Sequence, residues 1–246
     1  MSLFVITYVT HSSGTFDKLK EDLKNKGVEL VIIGWGTKWQ GYKKKTESII
    51  SEVRKYKDDD ILVIIDGFDV LISNNFDADT LYDIYKSDFN DKVLVSLDPQ
   101  RNIFNNFIPD KVKNYVHNKI FTGDINAGMY MGSKKILVPF LDEVKIASET
   151  DKCKNDDQCA MNSINNENPN IIIDTDKKIF NNLKNTVLNE NDTGMFYGYP
   201  GTPTVERILR IPSEYFKFFK TEILILILIL IVTLYIYYLK SPTLVV

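Results

Sequence analysis

Asp66 and Asp69 flank Gly67-Phe68 directly after the apolar run Ile61–Ile65. Two carboxylates leaving a strand end at this spacing can share one divalent cation, which prefers hard oxygen ligands. Mg²⁺ or Mn²⁺ held there would neutralise a diphosphate, and the ring of Phe68 offers a face to a nucleobase. The same four residues also suit an ordinary Asx turn. The chemistry therefore depends on what converges with them. Polar punctuation recurs at Thr10-His11 after Leu3–Val9, at Gly34-Trp35-Gly36 after Val28–Ile33, and at Asp98 after Val93–Leu97. A later acidic pair, Asp156-Asp157, precedes Gln158.

The elements that must position these residues alternate in type. Leu3–Val9, Val28–Ile33, Ile61–Ile65 and Val93–Leu97 read as strands, and Phe16–Lys26 and Lys44–Tyr56 as amphipathic helices. Gly27 suits the position just past the first helix. The uninterrupted apolar run Ile61–Ile65 is what helices on both faces of a sheet require. Strand–helix–strand alternation predicts a doubly wound α/β domain with a mostly parallel sheet. In such sheets ligands bind beyond the carboxyl ends of the strands, so the polar clusters should share one rim.

Composition narrows the class. The 246 residues are 44% hydrophobic and 26% charged, an ordinary globular mix. Residues 1–216 carry 27 basic against 32 acidic groups, which argues against a nucleic-acid footprint. Cys153 and Cys159 are too few for a disulfide framework or a four-cysteine zinc site.

The far end differs from the rest. Ile223–Leu239 reads ILILILILIVTLYIYYL, without charge. As a helix it would reach ~25 Å, the short end of the membrane-spanning range. Tyr235, Tyr237 and Tyr238 suit an aromatic belt. The expected organisation is a globular domain over 1–215, a juxtamembrane linker over 216–222, a transmembrane helix over 223–239 and a short tail over 240–246. The N-terminal MSLFVITYVT lacks a basic n-region and reads as a strand rather than a signal peptide. A single-pass C-terminal anchor with the catalytic domain in the cytosol follows as the expectation, and with it two free thiols.

Taken in order, several segments resemble a known family. These are Gly34-Trp35-Gly36-Thr37-Lys38-Trp39-Gln40-Gly41, then Lys45, then IDGFDVLI, Ile125–Gly132, Asp156-Asp157-Gln158 and Asp174–Leu183. The series resembles the glycosyltransferase domain of the procollagen lysyl hydroxylases and its stand-alone viral relatives. That family shows G-x-G-x-x-W-x-G, D-x-x-D, N-S-G-G-F-I-G, an acidic run before Gln, and D-x-x-x-x-I-F-Q-N-L. The resemblance spans roughly Leu3 to Thr202. It implies a GT-A-like fold, a UDP-sugar donor and manganese or magnesium.

The resemblance also implies roles. Asp66 and Asp69 match the metal carboxylates, and Phe68 the aromatic that stacks on uracil. Thr10 matches a threonine near the nucleotide, and Trp39 a tryptophan of the donor pocket. Lys45 matches a lysine that can reach the diphosphate, and Asn126 and Gly128 match the segment lining the sugar pocket. Asp156 and Asp157 match acidic residues near the sugar, where a carboxylate can bind hydroxyls or act as base. Structural alternatives stand beside these. Trp35 and Trp39 fit a core, Lys45 fits a solvated run with Lys43 and Lys44, and Asp156-Asp157 fit a helix N-terminus.

Two departures stand out. Ala127 replaces the family serine. The late H-G-N-G segment, which supplies a metal-binding histidine, here corresponds to Phe196-Tyr197-Gly198-Tyr199-Pro200-Gly201-Thr202. His11, at the expected rim, is a candidate substitute, although a surface-loop histidine is the simpler reading. His117 is the other histidine. The sequence thus points to a membrane-anchored, metal-dependent transferase moving glucose or galactose from UDP to a protein or glycan hydroxyl, hydroxylysine of collagen-like protein among them. The alternative is a catalytically weak, membrane-tethered UDP-sugar-binding protein.

Overall fold

The computed structural model describes residues 2–89, 92–98, 124–165, 167–183, 193–199 and 221–235. The sequence readings at His117, at 200–202, over the linker positions 216–220 and beyond 235 lie outside the described residues. The chain divides into two compact units, Met1–Thr202 and Pro203–Val246.

The first unit is built on a six-stranded sheet. Its strands are β1 (Leu3–Tyr8), β2 (Leu30–Ile33), β3 (Ile61–Ile65), β5 (Val93–Leu97), β6 (Ile125–Ser133) and β7 (Ile171–Asp174), in the order β2-β1-β3-β6-β5-β7. β2, β1 and β3 run parallel, as do β5 and β7, whereas β6 is antiparallel to both β3 and β5. The sheet is therefore mostly parallel, as the alternation predicted, with one reversed strand in its middle.

Alternation along β3 explains its wholly apolar composition. Ile61, Val63 and Ile65 face one core with α1 (Phe16–Asn25) and α3 (Ala78–Ile84). Leu62 and Ile64 face the other, with α2 (Tyr42–Val53), α4 (Lys134–Ser148) and α5 (Asp157–Asn165). Both faces are dry, so no position in the strand tolerates polarity. The amphipathic readings of the first two helices are met within a few residues at their ends.

The sequence reading lacked a second, three-stranded sheet. It consists of β4 (Val70–Ile72), β9 (Phe196–Gly198) and β8 (Phe180–Asn182), in the order β4-β9-β8. Each strand has three residues, too short for a periodic signal. Phe196 packs against both Phe76 and Phe180, and all three join the first core. Asp174 shapes the approach to β8. Its buried carboxylate accepts from Lys178 N–H at 3.0 Å, Ile179 N–H at 2.8 Å and Phe180 N–H at 2.7 Å. The aspartate that opens D-x-x-x-x-I-F is thus a turn-closing acceptor.

The cysteine expectation is corrected. Cys153 and Cys159 form a disulfide, with Cα atoms 5.3 Å apart. The turn between α4 and α5 brings the two together, a proximity that compartment reasoning does not see.

In the second unit, residues 221–235 are helical and the apolar side chains of Leu224 to Val232 are exposed. Among the described residues no helix is long and apolar enough to cross a membrane. The expected span continues through 236–239, outside them.

Candidate active site

The rim at the carboxyl ends of β1 and β3 is assembled by backbone bonds. Thr15 N–H donates to the Phe68 carbonyl at 3.0 Å, and Gly36 N–H to that of Thr10 at 2.9 Å. Gly14 makes the first contact feasible. Its φ is +59°, and a Cβ there would lie only 1.9 Å from the Phe68 oxygen. The loop after β1 is thereby laid across the Asp66–Asp69 turn. His11 and Phe68 rings meet at 5.4 Å, and Thr10 Oγ1 lies 2.9 Å from His11 Nδ1.

The reversed strand supplies the next wall. β5 and β6 lose register between Val95 and Ser96, so that Val95 pairs with Tyr130 but Ser96 with Asn126. Bulges of this kind re-aim side chains beside sites. On the other edge Asp66 N–H donates to the Gly128 carbonyl at 2.7 Å. Asn126 Oδ1 accepts from Gly128 N–H at 2.9 Å. A Cβ on Gly128 would lie 2.8 Å from Asn126 Oδ1 and 3.2 Å from Asp66 Oδ2. The bare glycine lets those two oxygens approach one small space.

Lys45 joins this wall to the far side of the site. Of three consecutive lysines, it falls on the buried face formed with Thr46, Ile49, Ile50 and Val53, while Lys43 pairs with Glu149 at the surface. The solvated-run reading of Lys45 is thus corrected. Its Nζ donates to Asp66 Oδ1 at 2.8 Å and to Asp157 Oδ2 at 3.2 Å. Burial pulls this ammonium toward neutrality, but Asp157 and Asp66 outweigh burial and hold its pKa well above the ordinary lysine value. Tyr130, buried beside the pair, has its phenol pushed up by desolvation and stays neutral. Asp66 is the more open partner, its side chain 39% exposed against 9% for Lys45.

Asp157 and Asp156 divide the roles that the sequence left open. Asp156 Oδ1 accepts from Cys159 N–H at 2.8 Å, the bond of a helix cap. Asp157, one residue on, points to Lys45 instead. Trp39 sits farther out, 42% exposed, with its ring edge-on to Tyr8 at 5.9 Å and to Tyr42 at 5.4 Å. Tyr42 in turn lies 5.9 Å under the Lys45 ammonium. Trp35 stacks on Phe16 at 5.4 Å yet stays 54% exposed, so neither tryptophan is a core residue.

Gln158 and Asp98, named in the sequence analysis without a role, and Asn162 and Asn182, not singled out there, bond around the same rim. Gln158 Nε2 donates to buried Asp98 at 3.0 Å. Asn162, one helical turn on, donates to the Gln158 carbonyl at 2.9 Å and exchanges bonds of 2.9 and 3.0 Å with the Ile125 backbone. It pins α5 to the start of β6. Its spacing of four from Gln158 on one helix face was a visible signal. Asn182 Nδ2 donates to the Leu97 carbonyl at 2.9 Å, and Tyr199 N–H to that of Asp69 at 2.7 Å. The second sheet thus reaches the rim at two points.

The donor set suits a divalent cation of one kind. Asp66 and Asp69 are hard oxygen donors three residues apart, and Asp66 Oδ2 faces the space beside Gly128. Among the described residues no three His, Cys, Asp or Glu side chains are grouped to hold a metal. Such a set fits Mn²⁺ or Mg²⁺ that takes its remaining ligands from phosphate and water, not a closed protein shell.

Comparison with known proteins identifies a family and a fold. The family model described as the PLOD GT domain matches residues 1–194. Among solved structures, one that resembles the chain is a glycosyltransferase involved in the glycosylation of the major capsid of PBCV-1. The TM-score is 0.54 at 10% identity, covering 87% of this chain and 100% of that one. A197 from STIV aligns with a TM-score of 0.39 at 12% identity, over 70% of this chain and 81% of that one, too distant to carry an argument. No curated protein matches the sequence.

Proposed function

The chain belongs to the PLOD GT domain family, a family of glycosyltransferase domains, and we propose that it transfers a hexose, glucose or galactose, from a UDP-sugar to a hydroxyl of a protein or glycan. The observation that carries the reading is the Lys45 ammonium held between Asp66 and Asp157 at the carboxyl rim of the sheet. The ammonium lies beside the exposed carboxylate of Asp66, where the anionic part of a donor would arrive together with a cation that offsets the flanking carboxylates.

In this reading Phe68, backed by His11, stacks on uracil, Thr10 lies near the nucleotide, and Trp39 closes the outer edge of the donor pocket. Asn126 and the space at Gly128 receive the hexose. Asp66 and Asp69 would hold Mn²⁺ or Mg²⁺, which when bound neutralises the diphosphate and favours its departure. The need for such a cation is electrostatic. Carboxylates flank the Lys45 ammonium, so a diphosphate meets net repulsion until that charge is offset. Lys45 supplies a fixed positive charge as UDP leaves. Asp157 holds Lys45 in place and, with Asp156 at the same helix start, faces the sugar and acceptor side.

Hydroxylysine in a collagen-like chain is the acceptor that the family resemblance suggests. The exposed apolar helix over 221–235 supports membrane attachment of the domain through Ile223–Leu239. The cytosolic placement of the domain is part of the same proposal.

The test is UDP release from a panel of UDP-sugars with manganese present. Turnover that depends on metal and prefers one hexose supports the reading. Saturable UDP binding without turnover favours the alternative, a UDP-sugar-binding module, which the lack of a histidine in Phe196–Thr202, where the family has H-G-N-G, motivates.

A further inference from the structure

We infer that the Cys153–Cys159 disulfide positions the acidic end of the site, and that thiol–disulfide exchange at this pair tunes the transferase; the inference rests on the function proposed above. The bridge closes the turn that carries Asp156 and Asp157 from α4 into α5. Within it, Lys154 and Asn155 have φ of 50° and 65°. Consecutive left-handed residues that are not glycine are unfavourable, so the surroundings must hold them. Part of the hold is backbone. Asn155 N–H donates to the Ser148 carbonyl at 2.7 Å, Lys154 N–H to that of Thr150 at 2.9 Å, and Asp156 N–H to that of Cys153 at 2.9 Å.

The disulfide fastens the two ends of this turn. Cys153 is 2% exposed. Cys159 lies in the first turn of α5, two residues from Asp157, and its N–H donates to Asp156 Oδ1. The orientation of α5 sets where the Asp157 carboxylate sits, and Asp157 is half of the pair that fixes Lys45. Releasing Cys159 lets the start of α5 relax toward ordinary backbone angles, which draws Asp157 away from Lys45. A short loop cross-linked beside functional carboxylates is better placed to control local geometry than global stability, because loop-closure stabilisation grows with loop length. In reducing compartments, protein disulfides are commonly redox-sensing.

The exchange is balanced with a dithiol as co-reactant. A dithiol thiolate attacks one sulfur and breaks the Cys153–Cys159 bond. The second dithiol thiolate then closes the dithiol's own disulfide, and the two electrons and two protons leave Cys153 and Cys159 as thiols.

The experiment compares the full chain before and after dithiothreitol, and a Cys153→Ser/Cys159→Ser variant. Alkylation followed by mass measurement should find the cysteines blocked before reduction. Hydrogen exchange should then show the amides of Asp156, Cys159 and Ala160 losing protection on reduction while those of β1 and β3 keep it. Donor turnover should fall about tenfold, mainly in kcat, recover on reoxidation, and be equally low and dithiol-insensitive in the double variant. Cysteines that alkylate freely before reduction, or amides whose protection is unchanged, would overturn the inference. Unchanged turnover on reduction in an active enzyme would overturn it as well. Absence of turnover in both redox states would instead count against the proposed function, and the exchange data would still decide the role of the disulfide.

Discussion

The Lys45 ammonium donates to Asp157 across a separation of 112 residues, at 3.2 Å and buried. A lysine from the first turn of α2 and an aspartate from the first turn of α5 thus hold each other at the rim. Both helices also send apolar residues, Ile49 and Ile50 from one and Ala160 and Met161 from the other, into the same core.

Lys45→Met should leave Asp157 with a buried, uncompensated charge. Removing one partner of a buried pair costs about 3 kcal/mol, and urea denaturation should show a loss of that order. Donor turnover should fall with it. A variant of wild-type stability and activity would show that the pair is incidental.

The same pair predicts an alkaline limit. The folded Lys45 pKa stands above the ordinary 10.5. Stability from this raised pKa is therefore fully present below the ordinary value and is lost as pH climbs through the higher folded one. Thermal unfolding of wild type and Lys45→Met, followed from pH 9 upward, should converge as the wild type loses its advantage. A wild-type advantage that grows with pH would contradict the assignment.

Asp66→Asn and Asp69→Asn should each reduce metal-dependent turnover at least about a hundredfold while the fold persists, since a metal ion contributes several kcal/mol to a charged transition state. Circular dichroism checks the fold, and EDTA should silence the wild type to the same degree. Turnover that ignores EDTA would remove the metal from the mechanism.

Gly128→Ala tests the space shared by Asn126 and Asp66. Its methyl would meet Asn126 Oδ1 at 2.8 Å and Asp66 Oδ2 at 3.2 Å. The expected result is a raised KM or lost turnover with a Tm within a few degrees of wild type. Unaltered kinetics would mean that the donor does not enter there.

Mn²⁺ should bind the free protein weakly and much better with UDP, because two carboxylates leave ligand positions for the diphosphate. Calorimetry with and without UDP measures the coupling. His11→Ala should change neither value, given that its Nδ1 is engaged with Thr10 and its ring with Phe68. Tight binding without nucleotide, lost in His11→Ala, would identify His11 as a ligand.

Strands β1, β2, β3 and β5 were legible because they are apolar runs, and the first two helices because they carry apolar faces at 3.6 spacing. Ile61–Ile65 and Val93–Leu97 were readable to the residue for that reason. The three-residue strands β4, β8 and β9 were not, since packing of Phe180 and Phe196 rather than periodicity makes them. β6 and β7 were not read as strands at all, and the reversal of β6 was hidden with it, because Asn126, Gly128, Gly132 and Ser133 interrupt its apolar residues.

Residue types at a strand end nominated Asp66, Phe68 and Asp69, which suit an Asx turn as well, whereas Asn126, Gly128 and Asp157 were nominated by the order of motifs shared with the family. The sequence could not separate Lys45 from its two lysine neighbours, or Asp157 from Asp156. Helix rotation separates them. A turn of about 100° per residue sends one lysine inward and the others to water, and makes one aspartate a cap and the next a partner. The disulfide was likewise undecided by composition, since whether two cysteines meet depends on a turn held open by left-handed backbone. Chemistry was written in the residue types; their pairing came only with the fold.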